Sequence, residues 1–111
     1  MIETKLISYL QTSLGVPVYL EIPADTSGKF VVVERTGGSG DSKLFYSTFA
    51  IQSYGPLLSD AIELNESVIQ AMETFPTDDL ITAVSLNSYY NFTNTTTKQR
   101  RYQAVYNITH Y

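Results

Sequence analysis

The chain has no cysteine, no tryptophan and a single histidine. Without cysteine there is no disulfide framework and no thiolate metal site. The one imidazole, His110, is the penultimate residue, with no second histidine to share a metal. A nucleophilic triad needs an imidazole held by an orienting partner. A histidine at a chain end is expected to be exposed, so His110 carries neither a catalytic nor a metal-ligating assignment. Basic residues are also scarce: seven Lys and Arg stand against eleven Asp and Glu, giving a net charge of −4. Nucleic-acid affinity comes mostly from neutralising phosphates, so direct sequence-specific nucleic-acid binding is not expected. No apolar run approaches the roughly 20 residues of a membrane-spanning helix. The opening MIETKLISYL carries Glu3 and Lys5 inside an amphipathic pattern, unlike a secretory signal, so the cytoplasm is the expected compartment. The sequons at Asn65, Asn91, Asn94 and Asn107 are then chance occurrences in a chain rich in Asn and Thr.

What is present points to a folded domain. At 111 residues with 43% hydrophobic content, the chain reads as a single domain, residues 1–111, with a modest core. Nine tyrosines outnumber five phenylalanines. Tyrosine suits strands, and it also suits subunit interfaces, where an apolar ring and a polar tip face different surroundings.

Periodicity gives the elements. Ile2, Leu6, Leu10 and Leu14 step by four and predict a helix over 2–14, stopped by Gly15 with Pro17 beyond. Strands are expected over 16–22 and 30–36, the latter apolar on both faces at Val31, Val32 and Val33. A glycine-rich tip over 37–43 leads to a strand over 45–54, with Phe49 and Ile51 on its core face. Pro56 fits the first turn of a second helix over 57–74, closed by Pro76. Leu58, Ala61, Ile62, Asn65, Ile69 and Met72 form its expected apolar stripe, with Ile62, Ile69 and Met72 meeting Phe49 and Ile51. A turn at Asp78 and Asp79 precedes a strand over 80–86. A polar, threonine-rich arm over 87–98 leads to a last strand over 100–111. The expected fold is α+β: a small mixed, mostly antiparallel sheet, an amphipathic helix packed across one face, and an N-terminal helix.

No segment assembles catalytic machinery, so an enzyme is not expected and no cofactor is implied. The Gly37-Gly38-Ser39-Gly40 run leads into a strand and not a helix, so it lacks the N-terminal donors of a phosphate cradle. Asp78 and Asp79 have no further ligand at useful spacing and read as a turn. Candidate functional residues are therefore those of a protein surface. Glu34 and Arg35 are adjacent on a strand and point to opposite faces; they are either a solvated strand end or parts of an intersubunit ion pair. Lys98, Arg100 and Arg101 concentrate three of seven basic residues in four positions. Asp60, Glu63 and Glu66 make the second helix acidic, a surface complementary to that patch.

Several segments, taken in order, resemble a family of tailed-bacteriophage tail terminator proteins, also described as tail-completion or minor capsid proteins. They are the first helix leading to Gly15-Val16-Pro17-Val18, the Ile22-Pro23-Ala24-Asp25 turn and the run from Phe30 through Glu34-Arg35-Thr36-Gly37-Gly38. Phe49-Ala50-Ile51-Gln52-Ser53-Tyr54-Gly55-Pro56 before the acidic helix, and the closing Arg101-Tyr102-Gln103 strand, complete the likeness. The resemblance implies a structural virion protein, a homo-oligomeric and hexameric ring that caps the tail tube. Its partners would be the major tail tube protein and the head–tail connector, with residence at the head–tail junction and no contact with a membrane. Two other classes stay open: another neck protein, such as a head-completion or connector subunit, and a small cytosolic ligand-binding domain.

Overall fold

The computed structural model describes residues 2–25, 27–41, 43–75, 81–94, 96–97 and 99–111. Helix α1 (Ile2–Leu14) buries Ile2, Leu6 and Leu10, the stripe read from the sequence. It ends where expected: Gly15 takes a left-handed φ of 69°, which other residues adopt at a cost, and its N–H donates to the Gln11 carbonyl at 3.0 Å.

Strand β1 (Val18–Tyr19) is much shorter than the expected 16–22. It runs parallel to β2 (Phe30–Asp41) and pairs only with Val31 and Val32. Leu20 and Ile22 then lie exposed, outside the ladder.

Strands β2 and β3 (Leu44–Tyr54) form the longest ladder, and it runs through the segment expected to be a loop. Gly37, Gly38 and Gly40 pair with Thr48, Ser47 and Phe45 after a bulge between Arg35 and Gly37. Gly38 and Gly40 are there for close approach more than for a turn. A Cβ on Gly38 would sit 2.9 Å from the Tyr46 carbonyl oxygen, and one on Gly40 2.8 Å from the Phe45 ring.

Helix α2 (Leu58–Glu73) begins later than expected, so Pro56 precedes the N-cap Leu57 and is not in the first turn. Leu57 offers no side-chain acceptor; Asp60 compensates by accepting from the Leu57 N–H at 3.2 Å. The expected apolar stripe needs correction. Ala61, Leu64, Asn65, Val68 and Met72 are buried, whereas Ile62 and Ile69 are only half-buried. The helix is rotated so that Leu64 and Val68, not the two isoleucines, lie over the core.

β4 (Ile81–Asn91) and β5 (Arg101–His110) complete an antiparallel hairpin that extends well past the expected strand end at 86. The expected strand start at Leu80, the turn at Asp78 and Asp79, and Pro76 lie outside the described residues. The arm narrows to side-chain-stabilised turns, in which Asn91 Oδ1 accepts from Thr93 N–H at 2.9 Å and Asn94 Oδ1 from Thr96 N–H at 3.0 Å.

The sheet order is β1-β2-β3-β5-β4, antiparallel except for β1. Helix α2 packs across β3 and β5, and α1 packs on α2, β1 and β2. The architecture is thus the expected α+β arrangement. Leu6, Val31, Val33, Phe49, Ile51, Val68 and Ile108 form the centre of the core on the helix-covered face. A second, smaller cluster of Phe30, Val32 and Tyr54 lies on the other face. That is why Val31, Val32 and Val33 are apolar in succession: the strand is buried on both sides at this level.

Candidate interaction surface on the open sheet face

Side chains on the helix-free face are set by strand register. Val32, Gln52, Gln103 and Tyr90 form one row across β2, β3, β5 and β4. Phe30, Tyr54 and Arg101 form the next. Rows of directly opposed residues share a face and bring side chains into contact.

Those two rows make a continuous hydrogen-bond relay. Arg101 Nη1 donates to the Tyr54 phenol oxygen at 3.1 Å. Tyr54 donates to Gln52 Oε1 at 2.9 Å, and Gln52 Nε2 donates to Gln103 Oε1 at 2.9 Å. Gln103 Nε2 then donates to the Tyr90 phenol oxygen at 2.6 Å. Glu34 Oε2 lies 3.5 Å from Gln52 Nε2 at the flank. Tyr54 is 1% exposed, Gln52 6% and Gln103 8%, so these groups depend on one another for satisfaction. Phe30 stacks on Tyr54 with ring centroids 4.5 Å apart. Arg101 is held further by its Nε donating to the Phe92 carbonyl at 2.7 Å, with the guanidinium 4.3 Å from the Phe92 ring centroid.

Above this floor lies an open cleft of about 610 Å³, walled by Leu20, Ile22 and Phe92 as well as by Glu34 and Arg101. Leu20, Ile22 and Phe92 are exposed large side chains around it, and Tyr90 is exposed at the β4 end of the relay. Tyr90, Phe92 and Arg101 on this face are of the residue types enriched at protein contact surfaces.

The predicted surface residues separate. Glu34 and Arg101 share the open face. Arg35 points to the helix face, as alternation requires, and there Nη2 donates to Glu3 Oε1 at 2.7 Å, with the guanidinium 5.3 Å from the Phe49 ring centroid. Its ion pair lies within the chain. Asp60 caps α2 and lies 3.8 Å from Lys29 Nζ. Glu63 and Glu66 are exposed on α2, and Arg100 is exposed just before β5. Lys98 lies outside the described residues. The start of β5 runs beside the start of α2: the Gly55 N–H donates to the Arg100 carbonyl at 3.3 Å, and a Cβ on Gly55 would lie 2.6 Å from Asp60 Cβ.

His110 corrects an expectation. It is buried, with Nε2 2.8 Å from Ser47 Oγ and Nδ1 3.2 Å from the Tyr111 carbonyl oxygen. With Nδ1–H donating to the carbonyl, Nε2 accepts from the hydroxyl. His110 lines a neighbouring cleft of about 460 Å³ with Lys5, Ser8 and Tyr111, but Ser47 does not. The hydroxyl is 3% exposed, so the pair holds two strands together and offers no nucleophile to solvent. Among the described residues, no group of three His, Cys, Asp or Glu side chains is placed to hold a metal ion, and no helix is long and apolar enough to cross a membrane.

Sequence reasoning passed over Gln52, Gln103, Tyr54 and Tyr90. Two mid-strand glutamines flanked by apolar residues were a signal, but only the register shows that they are neighbours. No protein-family model and no curated protein matches the chain.

Proposed function

We propose that this chain is a structural subunit that works by assembling with copies of itself, as a tail-terminator-type ring that caps a phage tail tube and meets the head–tail connector. The observation that carries the reading is the open sheet face. Both helices lie on the other side, and the open face combines the Arg101–Tyr54–Gln52–Gln103–Tyr90 relay, buried at its centre, with exposed Leu20, Ile22 and Phe92. A rigid, satisfied floor under an apolar rim suits contact with another macromolecule, since little order has to be created on binding. The order of sequence segments that resembles tail terminators supports the more specific assignment.

Electron microscopy of the purified protein, alone and mixed with tail tubes, tests the assignment together with sedimentation at low and high salt. Rings that cap tube ends are expected, with some weakening at high salt. Rings that attach to head connectors and never to tubes would reassign the chain to another part of the neck. A protein that stays monomeric at all concentrations and binds neither structure would defeat the proposal.

A further inference from the structure

We propose that copies of this chain join edge to edge: the outer edge of β4 in one copy pairs antiparallel with the open outer edge of β2, residues 33–41, in the next. The inference rests on the ring reading above and names the contact that builds the ring.

Among the described residues β4 is the outermost strand of the sheet, and β5 is the one strand paired with it. Its 11 residues, ITAVSLNSYYN, include no charged residue, no proline and no glycine. Natural sheets protect such edges with lysine, proline, short length or irregularity, and β4 has only its two bulges, near Ala83 and Ser88. Leu86, Tyr89 and Tyr90 stand exposed along it. An uncharged strand of this length with unpaired main-chain groups is a template for another strand.

The opposite end of the sheet carries a matching edge. β1 covers β2 only at Val31 and Val32. From Val33 to the end of β2, no strand among the described residues lies outside it. At Gly37 there is open space, since a Cβ there would meet nothing within 4 Å.

The two edges also fit in direction and height. β2, β3, β5 and β4 alternate in direction, so β4 runs opposite to β2. Following the ladders across the sheet, Gly37 is level with Thr48, Asn107 and Ser85. Ser39 is level with Tyr46, Thr109 and Ala83. A rotation about an axis along the strands thus sets β4 of one copy antiparallel beside β2 of the next, with no slip along the axis. A head-to-tail contact made by rotation without translation closes into a ring, whereas one with translation grows a filament. A foreign peptide would satisfy one edge and leave the other unpaired; a second copy satisfies both.

The absence of native cysteine makes the test direct. Ser85 and Gly37 are both exposed, so Ser85→Cys and Gly37→Cys leave the core untouched. Under mild oxidation, the double variant is expected to give a ladder of covalent oligomers ending at the copy number of the ring. An equal mixture of the two single variants is expected to give dimers only, and each single variant alone no cross-link. Ala83→Cys with Ser39→Cys should repeat the pattern. A disulfide formed by Ser85→Cys alone would mean that two β4 edges meet about a two-fold axis, and would overturn the proposal. Rings seen by sedimentation and microscopy without a cross-link in either double variant would also overturn it, while leaving the ring assignment standing. A protein monomeric throughout and never cross-linked would overturn both.

Discussion

Ser47 Oγ and His110 Nε2 meet at 2.8 Å in a buried position, tying the last residue of β5 to the middle of β3. The contact thus holds β5 to β3 by paired polar groups inside the core. His110→Ala removes the acceptor and leaves the Ser47 hydroxyl buried and unpaired. Such a group costs about 1–3 kcal/mol. Urea unfolding of His110→Ala should show a loss of that order. Adding Ser47→Ala should restore part of it, because the orphaned hydroxyl goes too. A neutral His110→Ala would mean that the Ser47–His110 contact contributes nothing to the fold.

The rotation of α2 gives a second test. Leu64 and Val68 are buried against the sheet, and Val68 is fully so. Leu64→Ala should cost about 2–5 kcal/mol, as for other buried leucines. Ile69 is half-buried beside Tyr106, Val84 and Leu86, and Ile69→Ala should cost clearly less. Reversal of that ranking in denaturant unfolding would restore the register read from sequence spacing.

The sequence made the element order and fold class legible because hydrophobic periods and breakers are local signals. Ile2, Leu6 and Leu10 with Gly15, and Phe49 with Ile51, needed no tertiary information. The α2 stripe misled because Ile62 and Leu64 are equally apolar, and only contact with β3 and β5 decides which faces inward. The glycine-rich run over 37–43 read as a hairpin tip, since sequence cannot show that Tyr46 and Phe45 crowd the strand at Gly38 and Gly40. The open-face relay was hidden for a related reason: Gln52 and Gln103 are 51 positions apart and meet only through the β3–β5 register.

Gly55 marks the junction between β3 and α2. A Cβ there would lie 2.6 Å from Asp60 Cβ and 3.0 Å from the Ala61 backbone nitrogen. The first turn of the helix would have to move. Gly55→Ala should destabilise the fold by about 1–3 kcal/mol, the usual cost of overpacking. Thermal unfolding checks this, and an unchanged midpoint would show that the helix start yields freely.

Tyr106 provides an alkaline test. Burial, with a smaller contribution from the negative charge of Glu73, pushes its phenol up from the ordinary 10.0 to about 12. Below pH 10 the phenol keeps its proton in both states, and this group adds no pH dependence. Between about pH 10 and 12 the unfolded chain releases the proton while the folded chain retains it, so stability falls as pH rises. Tyr106→Phe should flatten that fall. Unfolding measured at stepped alkaline pH compares the two proteins, and parallel curves would show that another tyrosine is responsible.

Arg101 is the residue where fold and assembly are hardest to separate, and the structure indicates how to separate them. Its guanidinium donates to the Phe92 carbonyl and the Tyr54 phenol, and it lies over the Phe92 ring. It therefore fixes the start of β5 to the tip of the β4–β5 hairpin and anchors the open-face relay. Arg101→Ala should lower the stability of the single copy by about 1.5–3 kcal/mol, the range for hydrogen bonds to charged groups. Arg101→Lys should recover only part of this, because an ammonium cannot place donors on both acceptors in the geometry of a planar fork. Arg100 has the same charge, but its side chain is exposed and lies outside that relay. Arg100→Glu should consequently cost the single copy less than Arg101→Ala does, while weakening ring assembly at low salt, an effect that high salt should erase. Denaturant unfolding of the dilute protein reports the first quantity, and sedimentation at higher concentration reports the second. Equal effects of Arg100→Glu and Arg101→Ala on both measurements would show that the two arginines act as one charged patch and that the relay contributes nothing of its own.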